Sequence, residues 1–412
     1  MEEWKKYKLG EICTKIGSGA TPKGGKEAYL GGATSLIRSQ NVLDFAFSWE
    51  GLAYINDEQA TKLNGVEVKK NDVLLNITGD SVARVCIVPD SALPARVNQH
   101  VSIVRGNKSK VLNEYILYFL QFKKQHLLSL AQGGATRNAL TKGMIEDFTI
   151  PLPQLEEQNR IVSILSSLDS KIENNRRINT NLEQQAQALF KSWFVDFEPF
   201  KDGVFVESEL GRIPKGWRVE SLSSIADYIN GLAMQKYRPK DSEEGLPVLK
   251  IKELGQGSTD CNSELCSPSL IGEKFIINDG DIIFSWSGTL MVKVWCGGKC
   301  GLNQHLFVVV PKDYPKWFVF LWTKFHLDNF IRIAKDKAVT MGHIKRGELD
   351  KAKVVIPNEE HLKKIDGLMT PILIQIINNE QESRRLSTLR DTLLPRLMSG
   401  ELHVKDIERS AI

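Results

Sequence analysis

The chain has 412 residues, of which 42% are hydrophobic, 25% are charged and six are cysteines. This length predicts two or three domains with cores of their own, and the composition excludes a disordered or fibrous protein. The N-terminal segment has no apolar signal region, and no stretch approaches the roughly 18 apolar residues of a membrane span, so we expect a cytoplasmic protein.

The small positive charge is divided between two blocks of the chain. Residues 1–153 contain 19 basic and 15 acidic side chains, and residues 200–357 contain 22 and 19. The remaining segments are mildly acidic, with 13 basic and 16 acidic side chains. This distribution is typical of two anion-binding modules on a neutral frame.

The sequence contains one internal repeat. Trp4, Leu9 and Ile12 recur 213 residues later, NDVLLNITG (71–79) returns as GDIIFSWSG (280–288), and NQH (98–100) returns unchanged at 303–305. Unrelated motifs do not keep one order over so long a stretch, so the pattern indicates a duplication.

Each copy begins with a mixed domain, at 1–153 and 200–357, and ends in a long helical segment, at 154–199 and 358–412. Short apolar runs separated by Gly, Pro, Asn and Asp predict the strands of the domains. Prolines at 151, 153 and 357 mark the transitions to the helices. The predicted fold class is α/β (α+β): two tandem globular domains of strands and helices, separated by a pseudo-twofold pair of long antiparallel coiled-coil helices.

Both long segments carry a heptad pattern, with seam residues at alternating steps of four and three. The alternative, one helical face packed on a globular core, accounts less well for so sustained a pattern. The predicted helix-pairing residues of the first segment are Ile161, Leu165, Leu168, Ile172, Asn175, Asn179, Leu182, Leu189, Trp193 and Phe194. Those of the second are Ile365, Ile372, Ile376, Asn379, Ser383, Leu386, Leu393 and Leu397.

Polar seam residues predict the register of this pair. If the helices pair antiparallel and centred, Asn175 lies near Ser383 and Asn179 near Asn379. A shifted register would leave a buried amide unpaired, at a cost of about 1–3 kcal/mol. The pair would then hold two domains at a set spacing of roughly 1.5 Å per residue.

The sequence shows no catalytic or metal-binding motif among those sought. It lacks a phosphate-binding loop, G-x-G-x-x-G, H-E-x-x-H, G-x-S-x-G, and the Asp/Asn-Pro-Pro-aromatic motif of amino-methylating enzymes. His100 and His305 are equivalent in the repeat, and we interpret them as structural histidines bonded to backbone. The pairs Cys261/Cys266 and Cys296/Cys300 lack the two-residue spacing of a zinc knuckle, which favours free thiols over zinc ligands. We predict neither catalytic residues nor a metal site.

Several motifs resemble the DNA-specificity subunit of type I restriction–modification systems, and the resemblance covers essentially the whole chain. They are GATP (19–22), LIRSQNV (36–42), IPLP (150–153) followed by Glu157, Gln158 and Ile161, SWFVDF (192–197), DIIFSWSG (281–288) and NQHLF (303–307). The second copy departs from the first at PNEEH (357–361), and its helix end, RLMSGEL (396–402), shares little with the first.

The resemblance implies a chain that supplies recognition and no chemistry. Each domain would be a target-recognition domain for one half of a split DNA target, and the helices would set the unread spacer. Two methyltransferase subunits using S-adenosylmethionine, and restriction–translocase subunits using ATP and Mg²⁺, would be the partners, while this chain would bind no cofactor. From their aromatic character alone we also expect Trp193, Phe194, Phe197 and Phe200 to face partner subunits. Two alternatives stay open: a scaffold with two binding domains on a coiled coil, and a self-contained DNA-modifying enzyme.

Candidate DNA-contacting residues follow from side-chain chemistry, because Arg, Asn and Gln suit bases whereas Lys, Arg, Ser and Thr suit phosphates. The candidates in the first domain are Thr21, Lys23, Lys26, Arg38, Gln40, Asn41, Arg84, Arg96 and Arg137. Those in the second domain are Lys236, Tyr237, Arg238, Lys250, Lys252, Lys293, His343 and Arg346. The target bases cannot be read from these residues.

Overall fold

The computed structural model describes residues 4–22, 29, 31–132, 138–240, 242–336 and 344–404. Within the first copy the elements follow in the order β1 Lys5–Lys8, α1 Leu9–Ile12, β2 Cys13–Ser18, β3 Thr34–Ile37, β4 Ala53–Ile55, α2 Asp57–Lys62, β5 Glu67–Val68, β6 Val73–Asn76, β7 Val85–Ile87, β8 Ala95–Val97, β9 Val101–Gly106, α3 Asn113–Phe122, α4 Lys124–Gln132, α5 Lys142–Glu146, β10 Thr149–Leu152 and α6 Leu155–Phe194.

The second copy opens with a hairpin that has no counterpart among the described elements of the first, and then repeats the plan. Its elements are β11 Phe205–Ser208, β12 Gly211–Pro214, β13 Arg218–Ser221, α7 Leu222–Ile225, β14 Ala226–Asn230, β15 Leu246–Leu249, α8 Ile251–Gln256, β16 Leu265–Cys266, β17 Ile276–Ile277, β18 Ile282–Ser285, β19 Met291–Val294, β20 Cys300–Leu302, β21 Leu306–Pro311, α9 Lys316–Phe325, α10 Leu327–Asp336, α11 Gly347–Lys351, β22 Lys353–Ile356 and α12 Glu359–Met398.

Two four-stranded sheets form the frame of each domain, with the same topology in both. The orders are β2-β9-β6-β7 and β4-β3-β8-β5 in the first domain, and β14-β21-β18-β19 and β16-β15-β20-β17 in the second. The strand β3 runs parallel to β8, as β15 does to β20, and the other pairs are antiparallel. The duplication predicted from sequence is therefore a duplication of sheet topology.

Matched residues of the repeat have matched structural roles. Asp72 accepts the backbone N–H of Lys69 (2.7 Å), and Asp281 accepts that of Asn278 (2.8 Å). Each carboxylate thereby closes the turn that precedes a buried central strand, β6 or β18. A short polar side chain that bonds the backbone nearby is a typical turn former, which explains why aspartate occupies both positions.

The chain divides into two compact units, each with one domain and parts of both long helices. The first unit comprises the residues up to Ser170 and those from Leu386 onward, and the second comprises Lys171–Arg385. This division cuts through α6 and α12, whereas the sequence-based division ended the domains before these helices.

The two 40-residue helices contact each other antiparallel within each unit. In the second unit Asn379 donates to Oδ1 of Asn179 (2.8 Å), and Asn175 donates to Oγ of Ser383 (3.3 Å). These bonds confirm the register predicted from the polar seam residues. In the first unit Arg390 bonds Asp169 (2.7 Å), a pair consistent with the same register. Every predicted helix-pairing residue is buried or half-buried.

The aromatic end of α6 corrects one expectation. Trp193 and Phe194 were expected to face partner subunits, but they are 7% and 2% exposed and lie in the core of the second unit. The ring of Phe194 is 5.5 Å from that of Phe318, and the ring of Trp193 is 5.3 Å from that of Phe200. Large apolar rings of this kind contribute strongly to stability when they are removed from water, and here the chain's own core removes them.

None of the described helices is long and apolar enough to span a membrane.

Candidate DNA interface

The clearest polar site in each domain lies where the chain passes from one sheet to the other. Asn98-Gln99-His100 connects β8 to β9, and Asn303-Gln304-His305 connects β20 to β21. The asparagine is buried in both turns and accepts the backbone N–H of the histidine two residues later, at 3.0 Å and 3.2 Å. This bond fixes the turn and orients the two side chains that follow the asparagine.

The histidine rings bond side chains, whereas the sequence led us to expect backbone partners. Nδ1 of His100 lies 2.6 Å from Oγ1 of Thr78, and its Nε2 lies 3.1 Å from Nε2 of Gln99. The equivalent distances from His305 to Ser287 and Gln304 are 3.1 Å and 3.3 Å. Each histidine thus joins a hydroxyl at the end of the central strand to the glutamine beside it.

A concave surface surrounds the first turn. Its lining residues are Ser39, Gln40, Thr78, Gly79, Asp80, Ser81, Arg84 and His100. Arg84 is half-buried, and its guanidinium has no hydrogen-bond or ion-pair partner within the part of the chain that the structure describes. A half-buried cation with free donors at a concave surface is suited to an anionic or base-edge ligand.

The second domain has a concave surface beside its own turn, with different residues. It is lined by Asn230, Trp286, Phe307, Ile344, Lys345 and Arg346. Trp286 donates to Oδ1 of Asn230 (3.0 Å), and Arg346 lies 5.8 Å from the centroid of the Phe307 ring and donates to the carbonyl of Tyr228 (3.0 Å). A cation this close to a ring face is weakly attracted to it, and the bond to Tyr228 anchors one nitrogen of the guanidinium.

The structure brings only some of the predicted DNA-contacting residues to these surfaces. Gln40 and Arg84 line the first and Arg346 lines the second, while Thr21 donates to the side-chain oxygen of Gln99. Arg38 lies next to this group and donates to the carbonyl of Gly51, which Gln40 also contacts (3.3 Å).

Three predicted residues are engaged inside the protein, and we withdraw them from the DNA-contacting set. Asn41 is fully buried and bonds the backbone of Arg38 and Ser48 (3.0 and 2.9 Å). Arg96 is 7% exposed and donates to the carbonyl of Ala60 (3.1 Å) and to Asn64 (2.8 Å).

Lys293 is the third of these residues. It is half-buried and donates to the carbonyl of Gly255 (2.8 Å). Burial lowers the pKa of its ammonium, an effect that the nearby carboxylates of Glu183 and Glu380 partly offset. Both carboxylates belong to the long helices, so Lys293 faces the helices of its own unit.

The remaining predicted residues of the second domain lie apart from its concave surface. Lys250 and Arg238 pair with Glu264 (2.8 and 3.3 Å), and Lys252 pairs with Asp260 (3.7 Å). Such exposed pairs contribute little to stability, and their cations can exchange a carboxylate for a phosphate. Lys236 is exposed, and Tyr237 packs on a small apolar cluster. The predicted residues Lys23, Lys26, Arg137 and His343 lie outside the described residues.

Sequence reasoning missed Thr78, Gln99, Gln304 and Ser287 as site residues. The signal was present in the unchanged Asn-Gln-His triplet, which we interpreted as a marker of the repeat that contains a structural histidine. The contribution of Thr78 and Ser287 could not be found in the same way, because the hydroxyl lies some 20 residues before the histidine it contacts.

The described residues contain no group of three or more His, Cys, Asp or Glu side chains placed to hold a metal ion. All six cysteines are free; Cys261 is exposed, and Cys266 and Cys300 are buried. Burial raises the pKa of Cys296 to about 12, so this thiol is protonated at neutral pH.

Comparisons with known proteins agree with the duplicated architecture. A family model described as the type I restriction modification DNA specificity domain matches residues 1–184 and 214–387. The MjaIX specificity subunit of Methanocaldococcus jannaschii is 28% identical over 98% of this chain and 95% of its own length. The HindI specificity subunit of Haemophilus influenzae is 24% identical over 98% and 100%.

A solved structure shows the same fold. The S subunit of a type I restriction-modification system from M. genitalium superposes with a TM-score of 0.52 at 15% identity, covering 96% of each chain. Because the family model matches both copies of the repeat, the chain belongs to the type I restriction–modification DNA-specificity family.

Proposed function

We propose that this chain is a non-catalytic specificity subunit that binds a bipartite DNA target and directs methyltransferase and restriction subunits to it. The observation that carries the proposal is the duplication of one frame, two sheets with a polar turn at their junction, each copy followed by a long helix. Two similar readers on a paired helix suit a target made of two half-sites and an unread spacer.

The chemistry of the described residues supports a binding role. The polar groups at the two concave surfaces are donors and acceptors for DNA, such as Gln40, Arg84, Lys345 and Arg346. The two histidines bond a hydroxyl and an amide, and neither has an acidic hydrogen-bond partner among the residues that the structure describes. The proposal assigns S-adenosylmethionine, ATP and Mg²⁺ to partner subunits and places the complex in the prokaryotic cytoplasm.

The long helices offer surface for partner subunits. Ile178, Leu368, Ile374 and Leu389 are apolar helix residues that are 45–51% exposed. Exposed apolar side chains on a helix can pack against a protein partner. We assign the docking of methyltransferase subunits to these faces, in place of the buried aromatic end of α6.

The experiment that tests this function has two arms. Cells that express the chain with its neighbouring methyltransferase are mapped for N6-methyladenine, and the purified chain alone is incubated with labelled S-adenosylmethionine and DNA. We expect a split motif with a fixed gap in the first arm and no incorporation in the second. Incorporation by the chain alone would identify an enzyme, and methylation that does not depend on the chain would exclude a specificity subunit.

A further inference from the structure

The polar turns of the two domains are built from the same groups, although the surfaces beside them differ. Each has a buried asparagine, a glutamine, a histidine and a hydroxyl from the end of the central strand, with the same bonds. The first turn has Gln40, Asp80 and Arg84 nearby, and the second has Trp286, Lys345 and Arg346.

The atoms in contact in the first turn fit one arrangement of its protons. The side-chain nitrogen of Gln99 can only donate, so Nε2 of His100 accepts. A neutral imidazole then carries its proton on Nδ1, which donates to Oγ1 of Thr78. The hydroxyl proton of Thr78 has no acceptor within the described part of the chain and is free to donate at the concave surface, and the exposed side chain of Gln99 beside it has a second N–H.

The second turn has the same proton arrangement in a more enclosed setting. By the same argument Gln304 is the donor to Nε2 of His305, and Nδ1 of His305 is the donor to Ser287. Ser287 is 6% exposed, and Gln304 is half-buried where Gln99 is exposed. The second turn therefore offers a smaller donor surface than the first.

We propose that these two turns bind DNA phosphates, with the hydroxyl and the glutamine amide as donors and the histidine as a positioning residue. The inference rests on the proposed function, in which the two domains read half-sites of different sequence. Identical groups cannot discriminate different bases, whereas phosphates are chemically the same in both half-sites. Base reading then belongs to the residues that differ; Asp80, for example, can accept from a cytosine amino group.

The assignment has a distinctive signature because the donors are neutral. Loss of a cationic phosphate contact weakens binding and lowers its dependence on salt, since fewer counterions are released. Loss of a hydroxyl or amide contact weakens binding with the salt dependence unchanged. Loss of a phosphate contact also weakens binding to all DNA sequences by the same factor, whereas loss of a base contact changes the sequence preference.

The test measures binding of the full-length chain to a labelled random-sequence duplex over a range of salt concentrations. The variants are Thr78→Val, which removes only the hydroxyl, Ser287→Ala, and Thr78→Ser, which gives the first turn the hydroxyl residue of the second. We expect Thr78→Val to weaken binding about tenfold, the effect of one hydrogen bond to a charged group, with the salt slope of the wild type. Ser287→Ala should have a smaller effect, and Thr78→Ser should bind like the wild type.

A second comparison separates positioning from mere stability. His100→Phe removes both ring bonds, and adding Thr78→Val to it should weaken binding no further than His100→Phe alone, because the contact of the hydroxyl is already disturbed in that variant. The melting temperature of Thr78→Val should change by no more than about 4 °C. Two results would overturn the assignment and indicate a purely structural turn. One is a tenfold loss of binding in Thr78→Ser as well as in Thr78→Val. The other is a loss of binding that parallels the fall in melting temperature among all the variants.

The same binding measurements distinguish an incorrect phosphate assignment from an incorrect proposed function. If the wild-type chain shows no salt-dependent binding to duplex DNA, the proposed function fails. If it binds and Thr78→Val binds equally well, only the phosphate assignment fails. If Thr78→Val, expressed with the methyltransferase, changes the methylated sequence, the turn reads bases and the assignment is overturned.

Discussion

The two domains share one frame but are joined to the long helices by different arginines of the same helix. In the first unit Arg390 of α12 is 8% exposed, lies 3.7 Å from the centroid of the Phe45 ring and bonds Asp169 of α6 (2.7 Å). Tyr118 of α3 donates to the other oxygen of Asp169 (2.7 Å). A buried cation thereby ties both helices to the domain.

In the second unit a more exposed arginine of α12 attaches the helix to its domain. Arg384 of α12 donates to both oxygens of Asp279 (3.0 and 2.8 Å) and to the carbonyl of Cys296 (2.9 Å), and its side chain is 38% exposed. Solvent screens this pair, whereas the first pair lies in a low-dielectric environment. The comparison shows that a duplicated frame can keep its sheets while its attachment to the helices diverges.

The largest expected effect of this difference is on stability. We expect Arg390→Met to lower the free energy of unfolding of the first unit by about 3–5 kcal/mol, because Asp169 is left as an unpaired, largely buried charge. Arg384→Met is the matched control, with an expected loss of about 1 kcal/mol. Hydrogen exchange on peptides of each unit measures the two losses of stability. Equal losses would mean that the burial of Arg390 makes its ion pair no more important than the exposed pair of Arg384.

The polar seam of the second unit predicts an effect of intermediate size. Asn179→Leu should lower stability by about 1–3 kcal/mol, because Asn379 keeps its amide and loses its partner. The double variant, with Leu at both positions, should recover that loss, while Asn175 and Ser383 still favour the same register. Urea unfolding gives the stabilities. A double variant less stable than the single one would show that the amides stabilise the pair beyond fixing its register.

The smallest expected effect concerns the glutamines of the two turns. Thr21 donates to Gln99, whereas the side-chain oxygen of Gln304 is buried with no donor in the described part of the chain. Thr21→Val should make the first turn resemble the second and weaken DNA binding about two- to threefold. Thr14→Val, which removes a similarly exposed hydroxyl bonded to Arg105 (3.3 Å), is the control and should leave binding unchanged. Equal effects of the two changes would mean that Thr21 does not act through Gln99.

Much of the frame could be predicted from sequence because it depends on local patterns. The repeat, the heptads and the register at Asn175 and Asn179 follow from spacing along the chain. The roles of Asn41 and Arg96 could not be predicted in this way, since an exposed and a buried side chain of the same type look alike in sequence. The guanidinium of Arg96 contacts a carbonyl 36 residues away, and only the tertiary fold brings the two groups together.

The aromatic end of α6 could not be assigned for a related reason. A cluster of Trp and Phe at a helix end fits a partner surface and an internal core equally well. The choice is set by Trp217 and Trp317 of the second unit, whose rings lie 5.7 and 6.1 Å from that of Phe194. The sequence showed the apolar surface and not what covers it.

The central claim is that each domain reads its own half of a split target, and single-molecule mapping of N6-methyladenine tests it most directly. Cells would carry the methyltransferase with the wild-type chain, with Gln40→Ala/Arg84→Ala in the first domain, or with Lys345→Ala/Arg346→Ala in the second. We predict that each double variant relaxes or changes one half of the methylated motif and leaves the other half and the gap intact. A change in both halves from either variant, or a continuous motif without a gap, would contradict it.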